Sequence, residues 1–250
     1  MECSGAQELT AAQDLAIVTV AILAGGLGTR LRSVVADRPK VLAEVQGRPF
    51  LAYLLDQVAA AGVRYVVLCT GYLGEQIRAV FGDVYGGLDL AYSQEPESLG
   101  TAGALRLGLP LFKSDPVLIM NGDSFCEVNL RAFWAWHCSR GADATLVLND
   151  MPDTKRYGRV HVDADGVVVS FDEKGGESGP GWINAGIYLL SRPLLLTIQT
   201  SGVVSLEREV FPAWISRGLN GYPNEGRFLD IGAPEAYAVA EQFFAPDMLT

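Results

Sequence analysis

Short hydrophobic runs alternate with longer amphipathic segments through the first part of the chain. In residues 50–61, Phe50, Leu54 and Val58 recur at helical spacing, which puts them on one face of a helix. The short runs lack this period and end at polar residues or glycines, which favours buried strands. We therefore predict strands at 17–24, 64–70, 88–93, 117–120 and 144–148, and helices at 50–61, 73–81, 101–109 and 130–140.

The alternation of strands and helices predicts an α/β fold of Rossmann-like, three-layer αβα type with a mostly parallel sheet. After residue 150 the pattern becomes richer in β structure. Segments 158–162 and 167–171 flank Asp165-Gly166, a hairpin turn signal. A strand at 183–190 and helices at 206–217 and 234–244 follow, and the polar, glycine-rich segment 173–181 predicts a loop. We expect a single domain over 1–250, with a loosely ordered leader at 1–15, a first part at 16–150 and a second at 151–250.

Composition and charge narrow the class of protein. Hydrophobic residues make up 49% and charged residues 19%, which is typical of a globular chain. The net charge of −10 makes nucleic acid and anionic membranes poor general partners. No apolar run reaches the roughly 18–20 residues of a membrane span, and the leader has no basic start typical of a signal peptide. The four cysteines form no C-x-x-C pair, so we expect free thiols and a cytoplasmic protein.

A glycine-rich loop, Gly25-Gly26-Leu27-Gly28-Thr29-Arg30, directly follows the first predicted strand. Glycines let backbone N–H groups approach phosphate oxygens, and the Arg30 guanidinium can bridge them. Lys40 supplies a second cation ten residues later. A simple tight turn is the alternative interpretation. The loop lacks the third glycine of a dinucleotide fingerprint and the G-K-[ST] of a Walker loop.

The run from Ala21 to Leu31, followed by Pro39-Lys40, resembles the signature of the sugar-1-phosphate nucleotidylyltransferases. The later motifs occur in that family's order across roughly residues 17–240. Segments 31–35 and 47–51 are similar to those of D-glycero-α-D-manno-heptose 1-phosphate guanylyltransferases. The resemblance implies catalytic roles for Arg30 and Lys40. It also implies that the nucleotide is bound by loop residues Leu23, Ala24, Gly25, Gly26, Gly28 and Thr29.

Glu95 stands before Leu99-Gly100-Thr101-Ala102-Gly103, where a strand is followed by a helix. Small residues there, with Gly100, Thr101 and Gly103 as the candidate contacts, leave room for a flat base. A carboxylate accepts two parallel hydrogen bonds, and guanine offers two adjacent donors whereas uracil and thymine offer one. Glu95 therefore favours guanine, unless it is only a solvated loop acid, the interpretation that suits Glu97 better.

Asp123 follows a buried strand, so it is expected at the carboxyl edge of the sheet, where ligands bind. The resemblance implies that Asp123 and Asp230 are the protein ligands of a Mg²⁺ cofactor. Two carboxylates with phosphate and water oxygens would form an open site for this ion. Capping of a helix near Asn129, or of the helix after Gly232, is the alternative for the two aspartates.

The second part of the chain carries the motifs that the family uses for the sugar phosphate. Phe171-Asp172-Glu173-Lys174 resembles its F-x-E-K element, in which the glutamate binds sugar hydroxyls and the lysine, also a candidate catalytic residue, holds the phosphate. Asn184 resembles the sugar-binding asparagine, and Tyr157-Gly158 the pair that lines the acceptor pocket. Each residue alone has an ordinary structural interpretation, and their ordered spacing favours the functional one.

The resemblance predicts an enzyme whose partners are GTP, or another NTP, and a sugar 1-phosphate. The acceptor phosphate would attack the α-phosphate of GTP in line and release pyrophosphate, with Lys174 holding the attacking group. Three alternatives stay open: a mannose-1-phosphate guanylyltransferase, a uridylyltransferase, and a non-catalytic homologue that senses nucleotide sugars. The sequence leaves the sugar and a homo-oligomeric state undetermined.

Overall fold

The computed structural model describes residues 14–26, 28, 37–172, 178–199 and 201–245. The strands are β1 Thr19–Ala24, β2 Glu44–Val45, β3 Arg48–Pro49, β4 Tyr65–Thr70, β5 Val84–Tyr85, β6 Leu88–Gln94, β7 Val117–Asn121, β8 Ser124–Cys126, β9 Ala144–Met151, β10 Val160–Val162, β11 Val168–Phe171, β12 Gly181–Leu190, β13 Asn220–Asn224 and β14 Phe228–Asp230. The α-helices are α1 Phe50–Ala60, α2 Gly74–Phe81, α3 Gly100–Gly108, α4 Leu130–Arg140, α5 Arg192–Leu196, α6 Phe211–Trp214, α7 Pro234–Ala238 and α8 Ala240–Phe243. Short 3₁₀ turns lie at Leu15–Ile17, Lys40–Leu42, Leu109–Leu111 and Ile215–Arg217, and Leu206–Val210 is π-helical.

The main sheet has the strand order β11-β10-β12-β7-β1-β4-β6-β5, and β9 pairs with both β12 and β13. Strands β7, β1, β4 and β6 run parallel to one another. Strand β12 is antiparallel to β7 and β9, so it separates the parallel part from the β-rich second part. The predicted mostly parallel α/β sheet is therefore confirmed.

Two hydrophobic layers cover the opposite faces of this sheet. On β1, Val20 and Ile22 belong to one buried cluster and Ala21 to the other, because side chains alternate across a strand. The first cluster contains the buried faces of α1 and α4, and the second contains those of α3 and α5. Helices on both faces of the sheet give the three-layer arrangement.

Helix α1 shows why the hydrophobic pattern predicts this packing. Its Phe50, Leu51, Leu54, Leu55 and Val58 side chains are fully buried against the first cluster. Burial of each contributes about 1.5–3 kcal/mol relative to exposure, which outweighs the absence of a side-chain cap at its start. Helix α4, by contrast, begins with a cap in which the Asn129 side chain accepts from two backbone N–H groups.

Two predicted helices differ in form from the sequence expectation. Segment 206–217 is helical throughout, but it passes from π to α to 3₁₀ geometry. Segment 234–244 is divided into α7 and α8 at Val239. Hairpin β10–β11 forms as predicted, with a register shift at His161/Val162.

Strands β8 and β14 form a separate antiparallel pair beside the sheet. Glu127 and Arg227, which flank the pair, form an ion pair at 2.6 Å and a backbone hydrogen bond at 2.9 Å. Phe243 and Phe244 of the C-terminal segment pack edge-on against Phe125 of β8. Among the described helices, none is long and apolar enough to cross a membrane.

Candidate active site

A cavity of about 810 Å³ lies at the carboxyl ends of the parallel strands, where ligands of open α/β sheets bind. The parallel strands bring loops from the first part of the chain to this edge, and β10 to β12 bring residues from the second part. The cavity brings together thirteen of the predicted residues: Leu23, Ala24, Gly25, Gly26, Lys40, Glu95, Gly100, Thr101, Asp123, Tyr157, Gly158, Asn184 and Asp230.

The glycine loop forms the wall next to β1. A Cβ added to Gly25 would overlap Glu95 Oε1 and lie 3.1 Å from the backbone nitrogen of Gly71, so this position has no room for a side chain. Gly26 faces open space, and Gly28 has a left-handed backbone with φ of 60°. Thr29 and Arg30, predicted to bind and neutralise phosphates, lie outside the described residues.

Glu95 follows β6 directly and is half-buried in the cavity wall. Its Oε2 accepts a hydrogen bond of 2.7 Å from the Leu99 N–H, and its own N–H donates to Thr70 O at 2.8 Å. Burial raises the pKa of this carboxyl above its ordinary value, and the Leu99 hydrogen bond opposes that shift. Glu97 is exposed. The structure thus distinguishes the two acids that the sequence places close together.

Helix α3 begins at the cavity with Gly100 and Thr101. Gly100 has a φ of 75°, and a Cβ there would overlap the carbonyl oxygen of Val204. The Ala102 N–H donates to that same oxygen at 3.0 Å. Gly103 is different, because it is buried inside the helix, where a Cβ would lie 2.7 Å from Leu99 Cβ. Close packing of the helix start explains Gly103, which does not line the cavity as the structure describes it.

Lys40 and Asp123 form an ion pair in the cavity, with Nζ 2.5 Å from Oδ2. The lysine side chain is only 11% exposed and the aspartate 37%, so this pair is shielded from bulk water more than a surface pair. A metal ion bound through Asp123 Oδ2 would have to displace Lys40 from this oxygen or share the oxygen with it. Among the described helices, α4 is capped by Asn129, and α7 begins after Ala233 with no side-chain cap, while Asp230 Oδ1 accepts from Gly232 N at 2.6 Å.

Asp123 and Asp230 lie at the same end of the β8–β14 pair, because Asp123 precedes the first residue of β8 and Asp230 is the last residue of β14. Asp230 pairs with Ser124, the neighbour of Asp123, and Ile231 N donates to Asp123 O at 2.9 Å. Over the described residues, no group of three or more His, Cys, Asp or Glu side chains is arranged to hold a metal. Two carboxylates that need further oxygen ligands from substrate and water fit an open Mg²⁺ site rather than a closed protein cage.

The side of the cavity next to β10 and β12 carries Tyr157, Gly158 and Asn184. The Tyr157 ring packs edge-on against Phe228 with centroids 5.4 Å apart, and burial raises the pKa of its hydroxyl. Asn184 Oδ1 accepts from Gly186 N at 2.9 Å, and its Nδ2 donates to the Tyr188 hydroxyl at 3.0 Å. Glu173 and Lys174 lie outside the described residues.

Four charged residues that line the same cavity were not predicted from the sequence: Arg159, Asp172, Glu207 and Arg208. Arg159 directly follows Tyr157-Gly158, and this adjacency could have pointed to it. Its side chain packs over Gly181, where an added Cβ would lie 2.9 Å from Nε. Glu207 and Arg208 had no such signal, because the pattern of 206–217 indicates only an amphipathic helix.

Together, the sheet topology and the cavity at the carboxyl ends of the parallel strands are typical of α/β enzymes that bind their ligands at that edge. The nucleotidyl transferase family matches residues 19–246. The chain therefore belongs to the nucleotidyl transferase family.

The matches to named relatives cover most of the chain. It is 37% identical over 222 residues to the D-glycero-α-D-manno-heptose 1-phosphate guanylyltransferase of Aneurinibacillus thermoaerophilus, covering 88% of this chain and 96% of that protein. It is 36% identical over 224 residues to a mannose-1-phosphate guanylyltransferase of Mycobacterium tuberculosis, covering 88% of this chain and 62% of that protein. The crystal structure of HddC from Yersinia pseudotuberculosis complexed with GMP-PN has a TM-score of 0.79 and 31% identity, and covers 91% of this chain and 99% of that chain.

Proposed function

We propose that this enzyme transfers a nucleoside monophosphate, with GMP favoured, from an NTP to a sugar 1-phosphate and releases pyrophosphate. The first candidate acceptor is D-glycero-α-D-manno-heptose 1-phosphate. The names of the heptose and mannose relatives and the GMP-PN complex of the structural neighbour support the guanylyl assignment.

The single observation that carries the proposal is the composition of the 810 Å³ cavity. A glycine loop and Glu95 lie on its side nearest β1 and β6, and Tyr157 and Asn184 on the side nearest β10 and β12. The Lys40–Asp123 pair lines the same space. Such a cavity suits two phosphorylated substrates that must meet through their phosphates.

In the proposed reaction, the chain contributes positioning and charge. The acceptor phosphate is itself the nucleophile, so no side-chain nucleophile is required. The loop amides, Arg30 and Lys40 would neutralise the triphosphate, and Lys174 would hold the attacking phosphate in line with the α-phosphorus. Glu95 would accept hydrogen bonds from the base.

We further propose Mg²⁺ as the cofactor, held by Asp123 and Asp230. When bound, the ion supplies positive charge to the transferring phosphates. The two carboxylates would hold the ion, and they are kept next to each other by the pairing of Ser124 with Asp230 and by the hydrogen bond from Gly232 N to Asp230.

Initial rates of pyrophosphate release would test the proposal. The purified protein with Mg²⁺ would be given each of GTP, ATP, UTP and CTP, with the 1-phosphates of D-glycero-α-D-manno-heptose, mannose and glucose. We expect the highest kcat/KM for GTP with the heptose acceptor. A preference for UTP would contradict the guanylyl assignment, and no release with any pair would contradict transfer itself.

The mannose acceptor is the second candidate, because the mannose-1-phosphate relative is 36% identical, almost as similar as the heptose one. A higher kcat/KM with mannose 1-phosphate than with the heptose would favour it. Control reactions without acceptor would separate transfer from simple hydrolysis of the NTP.

A further inference from the structure

Glu207 lines the cavity at the centre of a group of hydroxyls. Its Oε2 accepts from Thr101 Oγ1 at 2.9 Å and from Ser205 Oγ at 3.0 Å. Its Oε1 accepts from the Tyr188 hydroxyl at 3.4 Å. One carboxylate thus joins the start of α3, on the nucleotide side, to β12, on the acceptor side.

The Thr101 and Ser205 hydroxyls each make a second hydrogen bond, in which the hydroxyl oxygen accepts from a backbone N–H. Thr101 Oγ1 accepts from Leu206 N at 2.8 Å, and Ser205 Oγ accepts from Arg208 N at 3.2 Å. Glu207 Oε2 accepts both hydroxyl protons, and each hydroxyl oxygen takes up its backbone N–H with a lone pair. An acceptor at the position of Oε2 therefore satisfies both hydroxyls at once.

The Tyr188 hydroxyl continues this chain of hydrogen bonds from Glu207 to Asn184, on the acceptor side of the cavity. This hydroxyl accepts from Asn184 Nδ2 at 3.0 Å and donates to Glu207. Burial raises the pKa of Tyr188 well above its ordinary value, with Glu207 adding to the shift, so the hydroxyl stays protonated as a donor. Asn184 Oδ1 is held by Gly186 N at 2.9 Å. The amide of Asn184 is therefore fixed in one orientation.

We propose that Glu207 is a positioning residue that sets the hydrogen-bond polarity of the acceptor wall, so that Asn184 presents its remaining N–H to the sugar 1-phosphate. This inference rests on the proposed function and deepens it. A carboxylate is required because each of its oxygens must accept, whereas an amide offers one acceptor and one donor.

The Glu207→Gln variant should disturb the hydrogen bonds on the acceptor side of the cavity and leave those on the nucleotide side in place. Its amide oxygen would keep the Thr101 and Ser205 hydrogen bonds, because turning the amide around would leave two hydroxyl protons without an acceptor. The amide nitrogen would then face Tyr188, whose proton would lose the Glu207 oxygen that accepts it. We expect the KM for sugar 1-phosphate to rise about tenfold while the KM for the NTP changes less than twofold.

Three further variants complete the test. Glu207→Leu removes both acceptors and should raise the KM of both substrates. Tyr188→Phe should reproduce the effect of Glu207→Gln on the acceptor KM, and the double variant should be no worse than either single one. Glu209→Gln is the matched control, since Glu209 is exposed on the same helical segment and accepts only from Ser205 N at 2.9 Å in the described contacts.

Different results would overturn the proposed function and the positioning role of Glu207. Absence of turnover in the unsubstituted enzyme would overturn the proposed function. With an active enzyme, equal changes in both KM values, or none, in Glu207→Gln would overturn the positioning role. If that variant fails to fold, an unchanged acceptor KM in Tyr188→Phe would overturn it instead.

Discussion

Replacing Glu95 with glutamine tests whether this carboxylate distinguishes the bases. The Leu99 N–H donates to Oε2 at 2.7 Å, so the amide oxygen of the variant should take that position. The amide nitrogen would then replace Oε1, beside Gly25 in the cavity wall. A hydrogen-bond acceptor becomes a donor at one defined place, with almost no change in shape.

The size of the effect follows from what each base offers there. Guanine presents N–H donors at this place. The new amide N–H would therefore face a guanine N–H, and neither donor would have an acceptor in this half-buried site. Such a loss costs about 1–3 kcal/mol, which is roughly five- to 150-fold in kcat/KM for GTP. Uracil also presents a carbonyl oxygen, which can accept from the amide, so UTP should lose less or gain.

The assay is pyrophosphate release, with kcat/KM measured for GTP and for UTP at a saturating sugar 1-phosphate. The quantity of interest is the GTP/UTP ratio, which should fall at least fivefold in Glu95→Gln. Glu97→Gln is the matched control, because Glu97 is an exposed neighbour on the same loop. An unchanged ratio in Glu95→Gln would refute base recognition by this residue.

Other expected outcomes concern the metal, the backbone and pH. Asp123→Asn should raise the Mg²⁺ concentration for half-maximal activity at least tenfold, and an unchanged metal titration would remove Asp123 from the ligands. Gly100→Ala should lower the free energy of unfolding by at least about 2 kcal/mol in urea denaturation, because its Cβ would overlap a carbonyl oxygen, whereas Gly202→Ala, at φ of 82° in open space, should cost less. Burial lowers the pKa of His137 to about 4, below its unfolded value near 6.5. The free energy of unfolding should therefore be unaffected by this histidine above pH 6.5, and it should fall by about 3 kcal/mol as the pH is lowered to 4, because the unfolded chain takes up a proton that the folded one does not. A His137→Asn variant should show a flatter dependence over that range.

The strongest hydrophobic patterns in the sequence predicted their elements closely. Residues 130–140 form α4 with the predicted bounds, and α1 ends one residue before its predicted end. Buried strands such as β4 and β7 were predicted within one residue at each end. In these segments, local propensity and burial favour the same structure, so the sequence alone is informative.

Short strands and mixed helices were not predictable in the same way. Strands β8 and β14 have three residues each and exist through pairing with each other, which no local window contains. The π geometry of Leu206–Val210 accompanies the contacts of Glu207 with Thr101 and Tyr188, two residues from distant segments. A site residue of this kind becomes visible only when the fold brings its partners together.

The candidate site residues could be predicted from the sequence to different extents, for a related reason. Family motifs mark Lys40, Asp123 and Asn184 because each belongs to a continuous run of residues with a recognisable order. Their role in binding stays a prediction, although they line one cavity. Glu207 belongs to no run that the sequence analysis singled out, and its role follows from hydrogen bonds rather than spacing.

The pairing of β8 with β14 also sets when the site can be completed during synthesis. Glu127 and Arg227, next to these strands, are 100 residues apart in the chain. At about 5–20 residues per second, a ribosome exposes the second strand roughly 5 to 20 s after the first. Until then a nascent chain can collapse around β1, β4 and β7 with Asp123 in place and Asp230 still untranslated. The two carboxylates can therefore meet only after β14 has left the ribosome, so the proposed metal site cannot form before that point.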